Sequence, residues 1–190
     1  MSTANRKMFS AIYEELPNGK GECRKWLFKE IAMFRELVRK NKQIPAEECI
    51  ALLTREKRGV LSVNGDDGYP YGMPMNHFYN LEDGCIYFHC GRKGHRLDSL
   101  KRSSKASFCV CEQGYKKAGD WAYHVRSVIV FGEVEIIDDI DVVSHIARKL
   151  SYKFTQDDTY IQNEIDRFAK ATILLKLKPE HICGKMVQES

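Results

Sequence analysis

Between Ile86 and Leu100 the chain reads IYFHCGRKGHRLDSL, an apolar run that passes into a glycine-punctuated basic turn and then into helix-forming residues. From Arg92 to Arg102 five basic side chains (Arg92, Lys93, Arg96, Lys101, Arg102) face one acid, Asp98, so this turn carries an excess equal to the net +4 of the whole chain. By charge alone such a turn also suits a solvated surface loop. Gly91 and Gly94 would let the backbone approach a guest closely, and a helix starting after Gly94 would offer free N–H groups and a positive dipole end, which together favour phosphate. Asp98 then sits where a carboxylate complements the dipole, and His95 is a further candidate phosphate donor.

The other residues able to do chemistry are histidines and cysteines. Strand alternation puts Ile86, Phe88 and Cys90 on one side and Cys85, Tyr87 and His89 on the other. His89 is therefore either a satisfied wall residue or a site residue, and as a group titrating near neutrality it is the candidate general acid. His77, His89, Cys90, His95 and His124 match no closed tetrahedral ligand set, so no metal site is expected. Cys109 and Cys111 share one side of a strand, where a disulfide would be strained, and are read as core-packing residues. Trp121 and Tyr123 follow a polar connection and could cover the core or reach a ligand.

These residues need elements to hold them. Leu27, Ile31, Phe34 and Val38 recur at helical spacing in the first forty residues, and a second short helix is expected from Pro45. From Arg58 onward short β-branched and aromatic runs are broken by turns, with strands expected at Gly59 to Val63, Tyr69 to Tyr79, Cys85 to Cys90, Lys105 to Cys111 and Val125 to Ile137, the last bending at Gly132. Ile140, Val143, Ala147, Leu150 and Phe154 mark a helix laid on the sheet, a further helix covers Thr159 to Phe168, and alternation returns at Thr172 to Leu177 and His181 to Val187. So many strands with so little helix between them indicate a mainly β fold with flanking helices, an α+β barrel or closed sheet.

A chain of 190 residues with 43% hydrophobic content is expected to fold as one domain with appendages. The modest net charge argues against a nucleic-acid partner. Seven cysteines, an odd number without a C-x-x-C pair, read as reduced and mostly buried thiols of a cytoplasmic protein, and no run is long enough to span a bilayer, so no membrane partner is expected.

The order of RGVLSVNGDDGYPYGMPMNHFYNLEDGCIYFHCGRKGHRLDSLKRSSKASFCVC followed by SVIVFGEVEIIDD resembles the nitroimidazole-resistance group of the pyridoxamine 5′-phosphate oxidase-like superfamily, over about Met33 to Gly184. The resemblance implies an FMN-binding split β-barrel, here assigned to residues 45–190; residues 1–44 are read as an N-terminal helical extension, of which the first thirty residues have no counterpart in relatives. The resemblance also implies a homodimer with FMN, or occasionally FAD, between subunits. By the same analogy Pro74, Met75, Asn76 and His77 lie along the flavin ring, His89, Cys90, Lys93, Gly94, His95 and Arg96 lie towards the ribityl and phosphate, and Ser127 approaches from the partner. The implied activity is an oxidoreductase that takes electrons from a reduced nicotinamide or another donor and reduces a small acceptor such as a nitroaromatic. Two alternatives stay open: a flavin- or haem-binding protein without turnover, with His77, His89 and His124 as candidate axial ligands, and a pyridoxamine 5′-phosphate oxidase. His77 stands where relatives commonly have an aromatic residue, and Arg96 where they commonly have Lys.

Overall fold

A computed structural model describes residues 34–189. The chain divides into two compact units after Glu36; the first lies almost entirely outside the described residues, and the second, from Leu37, carries the sheet. Of the expected N-terminal helix, Leu27 and Ile31 fall outside the described residues, while Phe34 and Val38 are in irregular chain, Val38 being 98% exposed.

The strands are β1 (Arg58–Asn64), β2 (Pro70–Asn76), β3 (Phe78–Asn80), β4 (Cys85–Gly91), β5 (Lys105–Cys111), β6 (Tyr115–Lys116), β7 (Tyr123–Ile137) and β8 (Thr172–Glu189). The helices are α1 (Ala46–Arg55), α2 (His95–Arg102), α3 (Ile140–Ser151) and α4 (Asp158–Phe168). Every pairing is antiparallel, in the order β2-β1-β5-β7-β8-β4-β3 with β6 on β7. β2 and β3 lie at opposite ends of this order, yet only His77 separates them in the chain. The sheet must therefore curl until its ends nearly meet, which makes it a split barrel with His77 at the corner.

Alternation fills the barrel. Leu61 and Val63 from β1, Met73 and Met75 from β2, Phe88 from β4, Phe108 and Val110 from β5, Val128 and Val130 from β7, and Leu175 and Leu177 from β8 form one buried cluster. Leu52 and Leu53 of α1 and Leu97 and Leu100 of α2 join it, so both helices are held by apolar burial rather than by propensity. β4 is buried on both faces: Cys85 and Tyr87 pack outward with Leu174 against Val143 and Ile146 of α3. Asp139 starts α3 by accepting from the N–H groups of Asp141 and Val142, and Asp157 starts α4 by accepting from that of Tyr160.

Three differences from the sequence reading have local causes. The two C-terminal runs form one 18-residue strand, because a bulge at Phe131/Gly132 absorbs Glu180 and lets β8 continue past Pro179. Residues 43 and 44 already join the barrel, by a bridge from Gln43 to Lys185 and a hydrogen bond from the Ile44 N–H to the Gly184 carbonyl. Among the described cysteines only Cys49 and Cys85 are buried; Cys109 and Cys111 are exposed on the outer face of β5, whose inner face is already filled by Ala106, Phe108 and Val110. The core-packing reading of Cys109 and Cys111 is thereby corrected.

Two neighbouring rows on the outer face of the sheet are free of charge. Across it, Pro74, Val60, Cys109, Ile129 and Cys183 stand in register, followed by a row of Gly72, Ser62, Ser107, Phe131 and His181. No Lys, Arg, Asp or Glu occupies either row.

Candidate functional site

The basic turn is where the sequence places it, but its charges are unequal in role. Arg92 is tied to the Asp138 carboxylate and donates to the Lys170 carbonyl at 2.9 Å. Arg102 and His95 both engage Asp66, at 2.5 and 3.2 Å, and the His95 ring stacks on Tyr71 with centroids 4.2 Å apart. Lys93, Arg96 and Lys101 are left without an acidic partner among the described residues.

Arg96 differs from the two lysines in being half-buried. Its Nε donates to the Met73 sulfur at 3.1 Å, and its cation acts on the Cys90 thiol. Gly94, at φ 123°, turns the chain from β4 into α2 and offers no side chain to cap it. The N–H groups of Leu97 and Asp98 return to the Gly94 carbonyl, which leaves those of His95 and Arg96 without an acceptor in the helix. A half-buried guanidinium thus shares the first turn of the helix with two N–H groups that have no acceptor within it. Nothing lies within 4 Å of where a Cβ would stand on Gly91 or Gly94, so the approach is open.

His89 and Cys90 leave β4 on opposite faces, as alternation requires. Cys90 packs against the barrel core beside Arg96, where burial pushes its thiol pKa up and outweighs the guanidinium. His89 opens into a groove of about 450 Å³ between the sheet and the α3–α4 pair, with Asn76, Leu150, Phe154, Ile161 and Glu164 among its walls. His89 is exposed, yet the surrounding protein and then the Arg96 cation lower its pKa below the ordinary imidazole value, so it stands neutral at pH 7.

The remaining expected site residues are dispersed. Lys93 is exposed beside the turn, and Pro74 is exposed on the outer face of β2. Met75 is buried in the core, while Asn76 accepts from Arg58 Nε at 3.1 Å and reaches the groove. Ser127 sits on the outer face of β7 between Cys111 and Lys185. Sequence reasoning did not single out Asp66 and Asp138, which pair with two of the turn's five cations from distant parts of the chain, nor the α4 wall of the groove. The only local signal was α4's apolar spacing.

His77 is fully buried at the barrel corner rather than facing the groove. Its Nε2 lies 2.8 Å from the Leu53 carbonyl, which assigns the proton to that nitrogen, and its ring packs edge-on against Phe108. Nδ1 has no partner. Burial, followed by the Lys153 cation, lowers its pKa from 6.5 to about 4 despite the Leu53 carbonyl. The unfolded chain then binds a proton that the folded chain refuses, so stability is lost as pH falls from about 6.5 towards 4, by about 2 kcal/mol at pH 5. Urea midpoints at pH 7.5 and pH 5 are expected to show this slope, and His77→Gln, which keeps a donor for Leu53, is expected to flatten it. His124 is likewise buried, with Nε2 on Asp120 at 2.9 Å. Neither ring is open to a haem iron. No group of three or more His, Cys, Asp or Glu among the described residues is arranged to hold a metal, and none of the described helices is long and apolar enough to cross a membrane.

The family model of pyridoxamine 5′-phosphate oxidase matches residues 45–186, well over half of the chain. No curated protein sequence matches. Among solved structures, a protein with a proposed role in 5-nitroimidazole antibiotic resistance, from Bacteroides thetaiotaomicron, is similar at 19% identity and a TM-score of 0.62, over 77% of this chain and 87% of that one. A FAD-binding protein from Mesorhizobium loti is similar at 21% identity and a TM-score of 0.55, over 77% and 97%. The FAD and haem binding protein from Mycobacterium smegmatis is similar at 20% identity and a TM-score of 0.59, over 76% and 73%. At these identities the likeness shows the fold, a split barrel.

Proposed function

The chain belongs to the pyridoxamine 5′-phosphate oxidase family, and from that premise we propose that it is a flavin-dependent oxidoreductase with FMN as its cofactor. The observation that carries this reading is Arg96: a half-buried guanidinium without a carboxylate partner among the described residues, at the open start of a helix after Gly94. An anionic group fits this turn, and an FMN phosphate would be held by Arg96, by the His95 and Arg96 N–H groups and, from the rim, by Lys93. Flavin, when bound, supplies the redox chemistry.

The protein's own part is positioning and proton handling. His89, neutral and facing the groove beside Arg96, is the residue to hold or deliver a proton to a small acceptor, for which a nitroaromatic is the leading class and a reduced nicotinamide the electron donor. The uncharged rows on the outer face of the sheet suit a second copy of the chain, and a homodimer would bring Ser127 of one subunit to the other's cofactor. A cytoplasmic location is part of the same reading.

Burial of His77 and His124 leaves His89 as the one candidate axial ligand open to a haem iron, which weighs against the haem alternative, and no Lys or Arg lines the groove to suit a phosphorylated pyridoxamine. The visible spectrum of freshly purified protein tests the reading. Two flavin bands are expected; a Soret band without flavin would replace the proposal with the haem alternative.

A further inference from the structure

The groove beside His89 has a feature that flavin binding does not use. Among its lining residues Glu164 of α4 is the only carboxylate, no Lys or Arg lines the cavity, and the rest is mainly aliphatic or aromatic. Glu164 is half-buried and makes no hydrogen bond or ion pair among the described residues. Its neighbours on the helix do otherwise: Gln162 accepts from Arg148 and donates to Asp166.

A carboxylate drawn partly out of water gains when a cation meets it, and an apolar wall adds area for the body that carries the cation. Phe154, Tyr160 and Phe168 reach the groove and are 41%, 56% and 45% exposed, a high level for large aromatics. Lys57 and Arg167 already lie over one face of Phe154 and Phe168, at 5.2 and 4.9 Å. The opposite faces and Tyr160 remain for a guest. His89 is neutral, so it does not repel a positive ligand and can hydrogen-bond its far end.

We propose that this groove binds a small organic cation, an apolar or aromatic body bearing a protonated nitrogen, with Glu164 as its counter-ion. The body lies against Leu150 and Ile161, and the nitrogen points to the Glu164 carboxylate. Anions and phosphorylated molecules are disfavoured, because nothing in the groove pairs with them. This site shares His89 and the groove with the proposed reaction, but its cation selectivity rests on Glu164 and the α3–α4 wall rather than on the turn at Gly94, so it can be tested apart from flavin binding.

Calorimetric titration of the purified full chain with benzylamine, benzyl alcohol and benzoate holds the body constant while the charge runs from positive to negative. Benzylamine is expected to bind about tenfold tighter than benzyl alcohol, with benzoate weakest. Glu164→Gln, near-isosteric on an accessible helix, is expected to bring benzylamine down to the level of benzyl alcohol and to leave benzyl alcohol unchanged. Equal affinities in the native protein, a cation preference that survives Glu164→Gln, or no binding of any of the three would overturn the proposal. None of these outcomes depends on whether flavin is present.

Discussion

Arg96→Ala is expected to weaken FMN binding by about ten- to a hundredfold, because a charge-assisted hydrogen bond contributes about 1.5–3 kcal/mol and each 1.4 kcal/mol is a factor of ten. The high estimate among the turn's cations follows from position. Arg92 and Arg102 are exposed and committed to Asp138 and Asp66, so their removal breaks surface pairs that contribute little. Lys93 and Lys101 are exposed, where water and salt screen them. Arg96 alone combines half-burial with freedom from an acid, and its planar fork can grip two phosphate oxygens. Arg96→Lys keeps the charge and loses the fork, so it is expected to recover part of the affinity. Quenching of flavin fluorescence reads both variants, and Lys101→Ala, expected to change affinity by less than about threefold, is the control. An unchanged FMN affinity in Arg96→Ala would remove Arg96 from the site.

Gly132→Ala is expected to cost about 2–4 kcal/mol of stability, at the upper end of what overpacking costs, through a mechanism unrelated to the site. A Cβ at this position would stand 2.0 Å from the Lys178 carbonyl oxygen, 2.9 Å from its carbon and 3.1 Å from Pro179 Cα. All three atoms are backbone of β8, so no side chain can swing away. Relief requires the two longest strands to separate at the bulge that keeps them paired. Gly91→Ala is the internal comparison, since its Cβ would meet nothing within 4 Å and should change stability by no more than about 0.5 kcal/mol. Urea midpoints with an unchanged dependence on denaturant read the difference.

The bend at Gly132 was legible because a glycine within a long alternating run has few other uses. The path of β8 was not, because Pro179 reads as a break until its partner strand supplies the bulge. Strand β5 was legible to the residue, from Lys105 to Cys111, yet alternation says only that Cys109 and Cys111 share a face. Which face is buried depends on strands far away in the chain. The same limit governs the site. The basic turn, the glycines and the helix after them are contiguous and could be read directly, whereas Asp66 and Asp138 arrive from other turns and decide which cations stay free. His77 stood next to Asn76 in a motif that suggested a ligand wall, but it occupies the one residue between two strands at opposite ends of the sheet. Closure of the barrel turns it into the core, a consequence of topology that no local pattern carries.

Family membership and fold stand on the matched residues and the barrel, while the use of the turn at Gly94 as a phosphate anchor is the central claim. Parallel titration of the apoprotein with FMN and with riboflavin isolates that claim, since the two differ only in the phosphate. FMN is expected to bind at least about tenfold tighter than riboflavin, with the difference shrinking in Arg96→Ala and as salt is raised. Equal affinity for the two ligands in the native protein would contradict it.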